Sequence, residues 1–506
     1  AARVYTVSSA GNSGSGSVRE AVGLASAGDT IRFASSLSGT PILLSTQVSI
    51  TKPLYIEGAS GISMRAVGFF NRLLYIETTA ISPPLSSPFY TTSIREIQFE
   101  NANGVTLGGA VYAACPLTFY QCTFDDNRTS LSGGAIAYLN GSAFPISPLV
   151  IDECTFTNNE ASTKGGAIYV YTGNLLVNKS TFDSQEADQG GAIYYEVPLH
   201  SLADLIAKID SSDFSNNEAR LGGALWLYER IAGSDQIEIN DCDFSSNQSN
   251  QNGGAIYASG GSIDVYRSAF LSNIADSSGG ASFATTSIYF DSCQFRQNTA
   301  VYDGGALAGD FGSSSSGYRL RDSELVLNSA SRNGGGLAIL YDERGLFAND
   351  NRIDSNMAVN GGGIYLERTG LGVDPFGISI WTTSFRSNNA SDSGGGLYFE
   401  GDELSISRND FVSNTANIGG GMYLKTPSVS VDPNHPLISR TTLRRNQALI
   451  QGGGIHFSGK QLAMQICQLD SNQAVHGAAI DLQTQTSPVE PNEALLEQCD
   501  FYGNQA

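Results

Sequence analysis

The sequence predicts an all-β protein that folds as a right-handed parallel β-helix, a solenoid of about 14 regular coils with irregular first coils and a short capping helix. A Phe-x-x-Asn element and a Gly pair recur together from about residue 99 to the last residue, at intervals of 25 to 32 residues. That period favours a solenoid over one globular core, and it is too short for the four strands of a propeller blade. Little in a repeat has the spacing of an amphipathic helix, which argues against helical repeats.

One large apolar residue occupies a constant position in each repeat. In several repeats a cysteine stands two residues before it, on the same side of a strand, so both point inward when coils stack. Leu325, Ile353, Leu443 and Leu469 take this position in four repeats. The aromatic members of the predicted core stack are Phe124, Phe156, Phe182, Phe214, Phe244, Phe270, Phe295, Phe385 and Phe411.

An asparagine follows three residues after the apolar position. We expect it at a turn where side-chain amides bond from coil to coil, as in stacked Asn ladders. Gln185 and Asn504 stand at the same place. The predicted turn ladder comprises Asn127, Asn159, Asn217, Asn247, Asn273, Asn298, Asn328, Asn356, Asn388, Asn414, Asn446 and Asn472.

The Gly pair begins five or six residues after the asparagine, as from Asn159 to Gly165. It suits a bend with positive φ or a close approach between backbones. A short run of residues that favour strands follows, such as Ala255, Ile256 and Tyr257. Each repeat therefore predicts one coil.

The paired motifs resemble a known family. Gly-Gly-Ala-Ile at 165–168 and Phe-x-x-Asn at 156–159 are similar to the passenger repeats of the chlamydial polymorphic outer membrane proteins and related β-helix surface proteins. The resemblance covers about residues 99–506. It implies a surface-exposed β-helix, often adhesive and exported as an autotransporter.

Residues 1–50 differ from the repeats and predict a cap made of a strand, a short helix and a strand. Ser17 is the candidate N-cap, and Glu20 stands at the capping-box position. This segment resembles the Ser-Leu-Arg-Glu-Ala-Ile opening of many extracellular β-helix proteins. A helix across the first coil would cover its strand edges and its apolar interior.

Residues 51–98 predict irregular first coils, and 99–506 the regular repeats. The last repeat ends before the Gly pair that is due next, so we expect an open coil that further coils or another molecule would cover.

The charge balance excludes some partners. The chain has 49 acidic and 28 basic residues, a net charge of −21. This argues against nucleic acid and against anionic membrane surfaces. It is compatible with solubility, with basic partners or with calcium, but no calcium-binding repeat motif is present, so we expect no cofactor. No run of 18 apolar residues occurs, so no membrane span is predicted. We expect an extracellular or cell-surface protein.

Two pairs of cysteines lie on consecutive coils. Stacking would place the Cα atoms of Cys122 and Cys154, and of Cys467 and Cys499, about 4.8 Å apart, which a disulfide can span. Free thiols that act as small buried hydrophobic side chains are the alternative. No Cys-x-x-Cys pair occurs, which argues against a zinc site.

Five Asn-x-Ser/Thr sequons are candidate glycosylation sites in a eukaryotic source. Some of them can arise by chance in a chain so rich in Asn and Ser. The candidates are Asn127, Asn140, Asn178, Asn247 and Asn389.

The coils differ in length in an ordered way. From Gly361 onward, alternate coils carry about seven extra residues between the Gly pair and the next apolar position, and these insertions are rich in proline. We hypothesise a row of loops on one flank that contacts partners, with tolerated surface insertion as the alternative. The predicted contact residues are Pro375, Phe376, Pro433, His435, Pro436, Pro488 and Pro491.

No catalytic or metal-binding residues are predicted. The four histidines show no metal or catalytic spacing, and His456 and His476 are interpreted as surface or turn residues. We expect a non-enzymatic structural subunit of a cell-surface or extracellular filament, whose partners are other protein chains, copies of itself or filament components. A surface adhesin that binds a receptor or glycan is the alternative. A polysaccharide lyase or hydrolase is the second alternative, since right-handed β-helices also host such enzymes.

Overall fold

The computed structural model describes residues 2–68, 71–78, 91–104, 106–140, 148–197, 206–229, 236–311, 317–340, 345–368, 377–401, 403–426, 436–459, 461–484 and 493–506. The chain divides into an N-terminal unit, residues 1–248 with 260–262, and a C-terminal unit, residues 249–259 with 263–506. Both units are right-handed parallel β-solenoids, with about 15 turns in all, so the predicted fold class is confirmed. The boundary between the units lies within the predicted regular repeats.

A regular coil contains four strands, as residues 148–171 show. The leading strand Pro148–Asp152 comes first, the Phe strand Thr155–Thr157 carries the core phenylalanine, and the short strand Glu160–Ala161 follows the ladder asparagine. The Gly strand Ile168–Tyr171 comes after the Gly pair. Strands of one kind stack in parallel on successive coils, and they form the leading, Phe, short and Gly sheets of each unit.

The strands of the N-terminal unit fall into these four sheets. Its leading strands are Val4–Val7, Thr30–Phe33, Tyr55–Glu57, Thr92–Arg95, Leu117–Tyr120, Pro148–Asp152, Asn174–Asn178, Ile206–Asp210 and Gln236–Asn240. Its Phe strands are Ile42–Leu44, Ser63–Ala66, Gln98–Glu100, Thr123–Asp125, Thr155–Thr157, Thr181–Asp183, Asp213–Ser215 and Asp243–Ser245. Its short strands are Asn103–Gly104, Arg128–Thr129, Glu160–Ala161, Glu186–Gln189 and Glu218–Leu221. Its Gly strands are Val48–Ile50, Leu74–Ile76, Val111–Ala113, Ile136–Leu139, Ile168–Tyr171, Ile193–Val197 and Leu225–Glu229.

The C-terminal unit repeats the same arrangement. Its leading strands are Ser262–Tyr266, Ser287–Asp291, Tyr318–Arg321, Leu346–Asn349, Ile378–Trp381, Leu404–Ser407, Leu437–Ser439, Gln461–Gln465 and Glu493–Glu497. Its Phe strands are Ala269–Leu271, Gln294–Arg296, Glu324–Val326, Arg352–Asp354, Ser384–Arg386, Asp410–Val412, Thr442–Arg444, Gln468–Asp470 and Asp500–Tyr502. Its short strands are Gln248–Asn252, Ile274–Ala275, Thr299–Ala300, Ser329–Ala330, Met357–Asn360, Asn389–Ser393, Thr415–Ile418 and Gln447–Gln451. Its Gly strands are Ile256–Ser259, Ser282–Ala284, Leu307–Asp310, Leu337–Leu340, Ile364–Glu367, Leu397–Glu400, Met422–Lys425, Ile455–Gly459 and Ile480–Thr484.

Equivalent residues of successive coils stack directly on each other. In the Phe sheet, Thr155 pairs with Thr181 and Phe156 with Phe182. Because the register is kept, each position of the repeat becomes a column that runs along the unit. A side chain at one position of the repeat therefore contacts its equivalents on the neighbouring coils.

Sharp bends connect the strands. The first glycine of each pair has positive φ, as Gly165 does at 63°, and a Cβ atom on Gly166 would lie 2.2 Å from the carbonyl oxygen of Gly191. The predicted role of the Gly pair is thus confirmed. The regular coils of both units also bend at two non-glycine residues of positive φ, such as Glu153 (52°) and Asn158 (54°). The bend after the Phe strand lies next to the predicted asparagine turn, whereas the bend after the leading strand was not predicted.

The core of each unit is a column of stacked rings. Within the N-terminal unit the ring centroids of Phe99, Phe124, Phe156, Phe182, Phe214 and Phe244 follow one another at 4.7 to 4.9 Å. Within the C-terminal unit Phe270 stacks on Phe295 at 4.8 Å, and Phe385 stacks on Phe411 at 4.4 Å. Leu325, Ile353, Leu443 and Leu469 occupy the same column and are fully buried.

The helix Val18–Leu24 begins at Ser17, whose Oγ accepts a hydrogen bond from the backbone N–H of Glu20. The Glu20 carboxylate accepts from the backbone N–H of Gly16, one residue before the position that a capping box requires. Val18, Ala21 and Val22 are buried, and the helix packs on the first strands of the N-terminal unit. It therefore covers apolar side chains of the first coils.

Candidate functional site

In the C-terminal unit, the outer face of the Gly sheet carries a column of stacked rings. Residues of a strand alternate between its two faces, so Ile364 points inward and Tyr365 outward. Tyr365 pairs with Tyr398, Tyr398 with Tyr423, and Tyr423 with His456 on successive coils. Their ring centroids are 4.6, 4.7 and 5.1 Å apart. We call this set the tyrosine column.

Carboxylates lie beside the tyrosine column. The Tyr365 hydroxyl donates to Glu367 at 2.9 Å, and the Tyr398 hydroxyl donates to Glu400 at 3.0 Å. Lys425 forms an ion pair with the other oxygen of Glu400 at 2.6 Å. Burial and the neighbouring carboxylates raise the pKa of Tyr365 and of Tyr398, so both phenols stay protonated and cannot act as bases.

A His–Asp pair ends the column. His456 Nδ1 lies 2.9 Å from Asp481 Oδ2, and the histidine is only 3% exposed. Burial lowers the pKa of His456, and it outweighs the opposite effect of Asp481. The imidazole is therefore neutral near pH 7, with Nδ1–H donating to the carboxylate. The interpretation of His456 as a surface or turn residue is wrong, because it occupies the tyrosine position of its coil.

A similar aromatic face exists in the N-terminal unit. Tyr169, Tyr194 and Trp226 follow one another at 5.6 and 4.2 Å between ring centroids. The Lys164 ammonium lies 4.3 Å from the centroid of the Tyr194 ring and 3.0 Å from Glu196. Neighbouring rings cover the ring faces within the stack, so mainly ring edges remain for a ligand. We infer that these faces stabilise the outer layer of the sheet.

The predicted turn asparagines form a continuous hydrogen-bonded ladder within each unit. Asn159 donates its Nδ2 to the carbonyl of Phe124 on the preceding coil and to Gln185 Oε1 on the next coil. Its backbone N–H donates to the same Gln185 oxygen. The pattern repeats at Asn127, Asn217, Asn298, Asn328, Asn356, Asn388, Asn414, Asn446 and Asn472, and Asn247 and Asn273 lie in the same buried column.

A second polar ladder runs along the cysteine position, and sequence analysis missed it. The side chain accepts from the backbone N–H of the preceding coil, and Ser, Thr and Cys donate to a carbonyl two residues earlier, as Ser180 does with Cys154 and Asn178. Asn351 and Asn409 donate instead to carbonyls of the preceding coil. The signal was available, because from Cys122 onward only Cys, Ser, Thr and Asn occupy the position. They are Cys122, Cys154, Ser180, Ser212, Cys242, Ser268, Cys293, Ser323, Asn351, Thr383, Asn409, Thr441, Cys467 and Cys499.

This ladder corrects the disulfide hypothesis. All seven cysteines are free thiols. Cys154 Sγ lies 3.3 Å from the carbonyl oxygen of Asp152, and Cys467 Sγ lies 3.4 Å from that of Gln465. Side chains on in-register parallel strands point the same way and keep the spacing of about 4.8 Å, whereas the Cβ atoms of a disulfide approach to about 3.8 Å. The pairs Cys122–Cys154 and Cys467–Cys499 are therefore stacked without being bonded.

The glycosylation candidates differ in how far their side chains are buried. Asn127 and Asn247 are fully buried, and each donates from the Nδ2 atom that would carry a glycan, so the folded structure contradicts both. Asn140 is also buried. Asn178 is half-buried and donates to Asp152 at 2.7 Å, while Asn389 is exposed. Glycosylation of these two residues stays a prediction.

The proline-rich insertions leave the coil at one corner, between a Gly strand and the next leading strand. In the C-terminal unit the described ends of three insertions are Arg368 and Gly377, Thr426 and Pro436, and Thr484 and Glu493. Pro436 was predicted to contact partners, but it is buried and its carbonyl accepts from the backbone N–H of Ala463, so it belongs to the coil. The residues Pro375, Phe376, Pro433, His435, Pro488 and Pro491 lie outside the described residues.

Among the described residues, no group of three or more His, Cys, Asp or Glu side chains could hold a metal ion. Over the same residues, no helix is long and apolar enough to cross a membrane.

Comparisons with known proteins add sequence and fold relationships. Residues 153–171 and 241–259 match the Chlamydia polymorphic membrane protein repeat. The first match runs from the bend at Glu153 to the end of the Gly strand at Tyr171, so it covers one coil without its leading strand. No curated protein sequence matches the chain.

Two solved structures share the solenoid architecture at low similarity. One is a mutant of the periplasmic alginate epimerase AlgG, with a TM-score of 0.31, 12% identity and 77% of each chain covered. The other is a mannuronic acid specific polysaccharide family 6 lyase from human gut microbiota, with a TM-score of 0.30, 11% identity, and 83% of this chain and 82% of that chain covered. Similarity this low carries no argument about activity. The resemblance on which the sequence analysis relied is confirmed in the repeats: this β-solenoid carries polymorphic membrane protein repeats.

Proposed function

We propose that the chain is a non-enzymatic structural protein of the cell surface or extracellular space, in which a rigid solenoid carries insertions that contact other protein chains. The observation that carries the proposal is the common corner at which the insertions leave the coils. Because equivalent strands stack in register within the C-terminal unit, the described ends of its insertions form a row along one edge. A partner could bind several of them at once, which raises its overall affinity.

The state of the titratable groups supports a role without catalysis. The tyrosine hydroxyls are bound to carboxylates, Lys425 is paired with Glu400, and His456 is paired with Asp481 and nearly fully buried. In each of these pairs the titratable group already has a hydrogen-bonding partner within the protein. The polymorphic membrane protein repeats support a surface location.

The test replaces the insertions with Gly-Ser segments that lack their side chains. Residues 427–435 and 485–492 would be replaced by Gly-Ser segments of equal length, because these insertions contain the predicted contact residues Pro433, His435, Pro488 and Pro491. Exchange of residues 312–316, which are already Gly-Ser-Ser-Ser-Ser, for a shuffled Gly-Ser segment is the matched control. We expect the first variants to lose incorporation into native assemblies and the control to retain it. Full incorporation of all variants would reject the insertions as contact sites.

An adhesin is the second candidate, because the repeats resemble those of surface passengers. Binding of labelled protein to cells, with competition by an excess of the unlabelled protein, would distinguish an adhesin from a structural subunit. A lyase is the third candidate, and the His456–Asp481 pair is its only support among the described residues. Release of unsaturated uronate from alginate or pectin, lost in His456→Ala, would favour the lyase.

A further inference from the structure

A groove of about 270 Å³ lies in the N-terminal unit where leading strands turn into Phe strands. A regular coil makes this turn with two residues, as between Thr92–Arg95 and Gln98–Glu100. The preceding coil uses residues 58–62 for the same turn, between Tyr55–Glu57 and Ser63–Ala66. This longer connection forms one wall of the groove, and the turns of the next two coils form the other.

Backbone contacts fix this wall. The carbonyl of Gly61 accepts from the N–H of Gly39 at 2.8 Å, and the carbonyl of Ser60 accepts from Ser38 Oγ at 2.9 Å. The N–H of Gly58 donates to the carbonyl of Arg95 at 2.9 Å. The wall is therefore fixed to the preceding coil and to the next one, and the groove is formed before any ligand binds.

The surface of the groove is mainly polar. Ile62 and Ile97 lie beneath it and are each 2% exposed, so they shape its base and present almost no apolar surface. Gln98 and Thr123 line the Phe-strand side and are half-buried. Amides and hydroxyls at this site suit a pyranose ring, because the edge of the ring carries hydroxyl groups that both donate and accept hydrogen bonds.

The charge at the groove selects against anionic sugars. Of the described residues that line it, Glu96 is the one ionisable side chain, and it forms an ion pair with Arg95 at 3.0 Å. Within this described lining, no basic side chain could hold a uronate, sulfate or phosphate group. We propose that this groove binds one uncharged pyranose residue of a glycan. The site is independent of the insertions, so its failure would leave the proposed function untouched.

The test measures binding of defined oligosaccharides to the whole chain. Cellopentaose, mannopentaose and N-acetylchitopentaose are the neutral probes, and trigalacturonate is the anionic probe, in saturation-transfer difference NMR and calorimetric titration. Ala59→Trp fills the groove, and Gln98→Ala removes hydrogen-bonding atoms from its wall. Thr181→Val is the matched control, because Thr181 lies at the Thr123 position of the same sheet, two coils further on.

We expect at least one neutral probe to bind. Ala59→Trp should abolish that binding, Gln98→Ala should weaken it roughly 5- to 10-fold, and Thr181→Val should leave it unchanged. Three results would overturn the proposal: no neutral probe binds, trigalacturonate binds as well as they do, or binding persists in Ala59→Trp. Loss of binding in Thr181→Val would also reject it, because the site would then lie elsewhere on the sheet. Near-ultraviolet circular dichroism checks that each variant is folded.

Discussion

Asn388 and Asn414 are hydrogen-bonded to each other twice. The backbone N–H and the side-chain Nδ2 of Asn388 both donate to Asn414 Oδ1, each at 3.0 Å. Nδ2 also donates to the carbonyl of Ile353 on the preceding coil at 2.9 Å. One buried amide thus connects three successive coils, and this arrangement repeats along the ladder.

Replacing one ladder residue should therefore destabilise the solenoid. Asn388→Ala removes the oxygen that accepts from the N–H and the Nδ2 of Asn356, and the Nδ2 that donates to the carbonyl of Ile353. These buried groups lose their partners, and we expect a loss of about 2–4 kcal/mol in the free energy of unfolding. Urea denaturation followed by circular dichroism measures it. The control is Asn389→Ala on the exposed neighbouring residue, which should change stability by less than about 0.5 kcal/mol. Equal effects of the two variants would contradict the ladder.

The cysteine position should accept serine but reject an apolar residue. Cys154 Sγ stands opposite the carbonyl of Asp152, and serine makes the same contact on the next coil at Ser180. We expect Cys154→Ser to stay within about 1 kcal/mol of the wild type and Cys154→Val to lose about 1–3 kcal/mol. Equilibrium denaturation compares them. If serine destabilised as much as valine, the role of this column would be packing alone.

The free thiols give an independent check on the same column. Alkylation of the unfolded, unreduced protein followed by mass spectrometry should label all seven cysteines. Protection of Cys122 with Cys154, or of Cys467 with Cys499, would restore the disulfide hypothesis.

The phenylalanine column should tolerate leucine but not alanine. Phe156 is fully buried between Phe124 and Phe182, so Phe156→Ala should cost about 3–5 kcal/mol through lost burial and a cavity. Phe156→Leu should cost less than half of that, since leucine occupies this column at Leu325 and Leu443. Thermal and urea unfolding test both variants. A leucine variant as unstable as the alanine variant would show that ring stacking, rather than volume, stabilises the column.

Acid should weaken the end of the tyrosine column. Burial holds the pKa of His456 below its ordinary value of 6.5, so the folded state binds this proton less tightly than the unfolded state does. Stability is therefore lost as pH falls below about 6.5, and this group adds no pH dependence above it. His456→Tyr restores the residue type of Tyr423 and should reduce the loss of stability between pH 7 and pH 5.

The matched control for this pH experiment is His476→Gln, which changes the exposed histidine of the following coil. It should keep the wild-type difference between pH 7 and pH 5. An unchanged difference in His456→Tyr would mean that other groups set the acid sensitivity.

Glycosylation should follow accessibility. In a eukaryotic host we expect glycans on Asn389, which is exposed, and on Asn178, which is half-buried. We expect none on Asn127 or Asn247, because their amides are buried in the ladder. Glycopeptide mass spectrometry reads out each site. A glycan on Asn127 in folded, secreted protein would contradict the ladder in that coil.

The repeat made the fold predictable because each structural role recurs at one position. The spacing of Phe156 and Asn159 was enough to predict an interior column and a turn. Columns whose residue type varies from coil to coil were missed. Ser180 and Cys154 share one role, and His456 stands where other coils have tyrosine, but neither residue attracts notice within its own coil.

Other features depended on geometry that residue spacing does not contain. The disulfide hypothesis used only the distance between Cα atoms, whereas side-chain direction on in-register strands keeps Cys122 and Cys154 apart. The sequons at Asn127 and Asn247 were read without the burial that the ladder imposes. The groove at residues 59–62 arises because one turn is longer than its neighbours, and its position relative to Gln98 and Thr123 follows only from the stacking.

The most direct test of the proposed structural role is electron cryomicroscopy of native extracellular material, with antibody labelling of this chain. The account predicts an ordered assembly that contains the solenoid in its repeat, with the corner between Gly strands and leading strands at the contacts between subunits. Discrete labelled particles on the cell surface, with that corner free of protein partners, would contradict it and favour an adhesin.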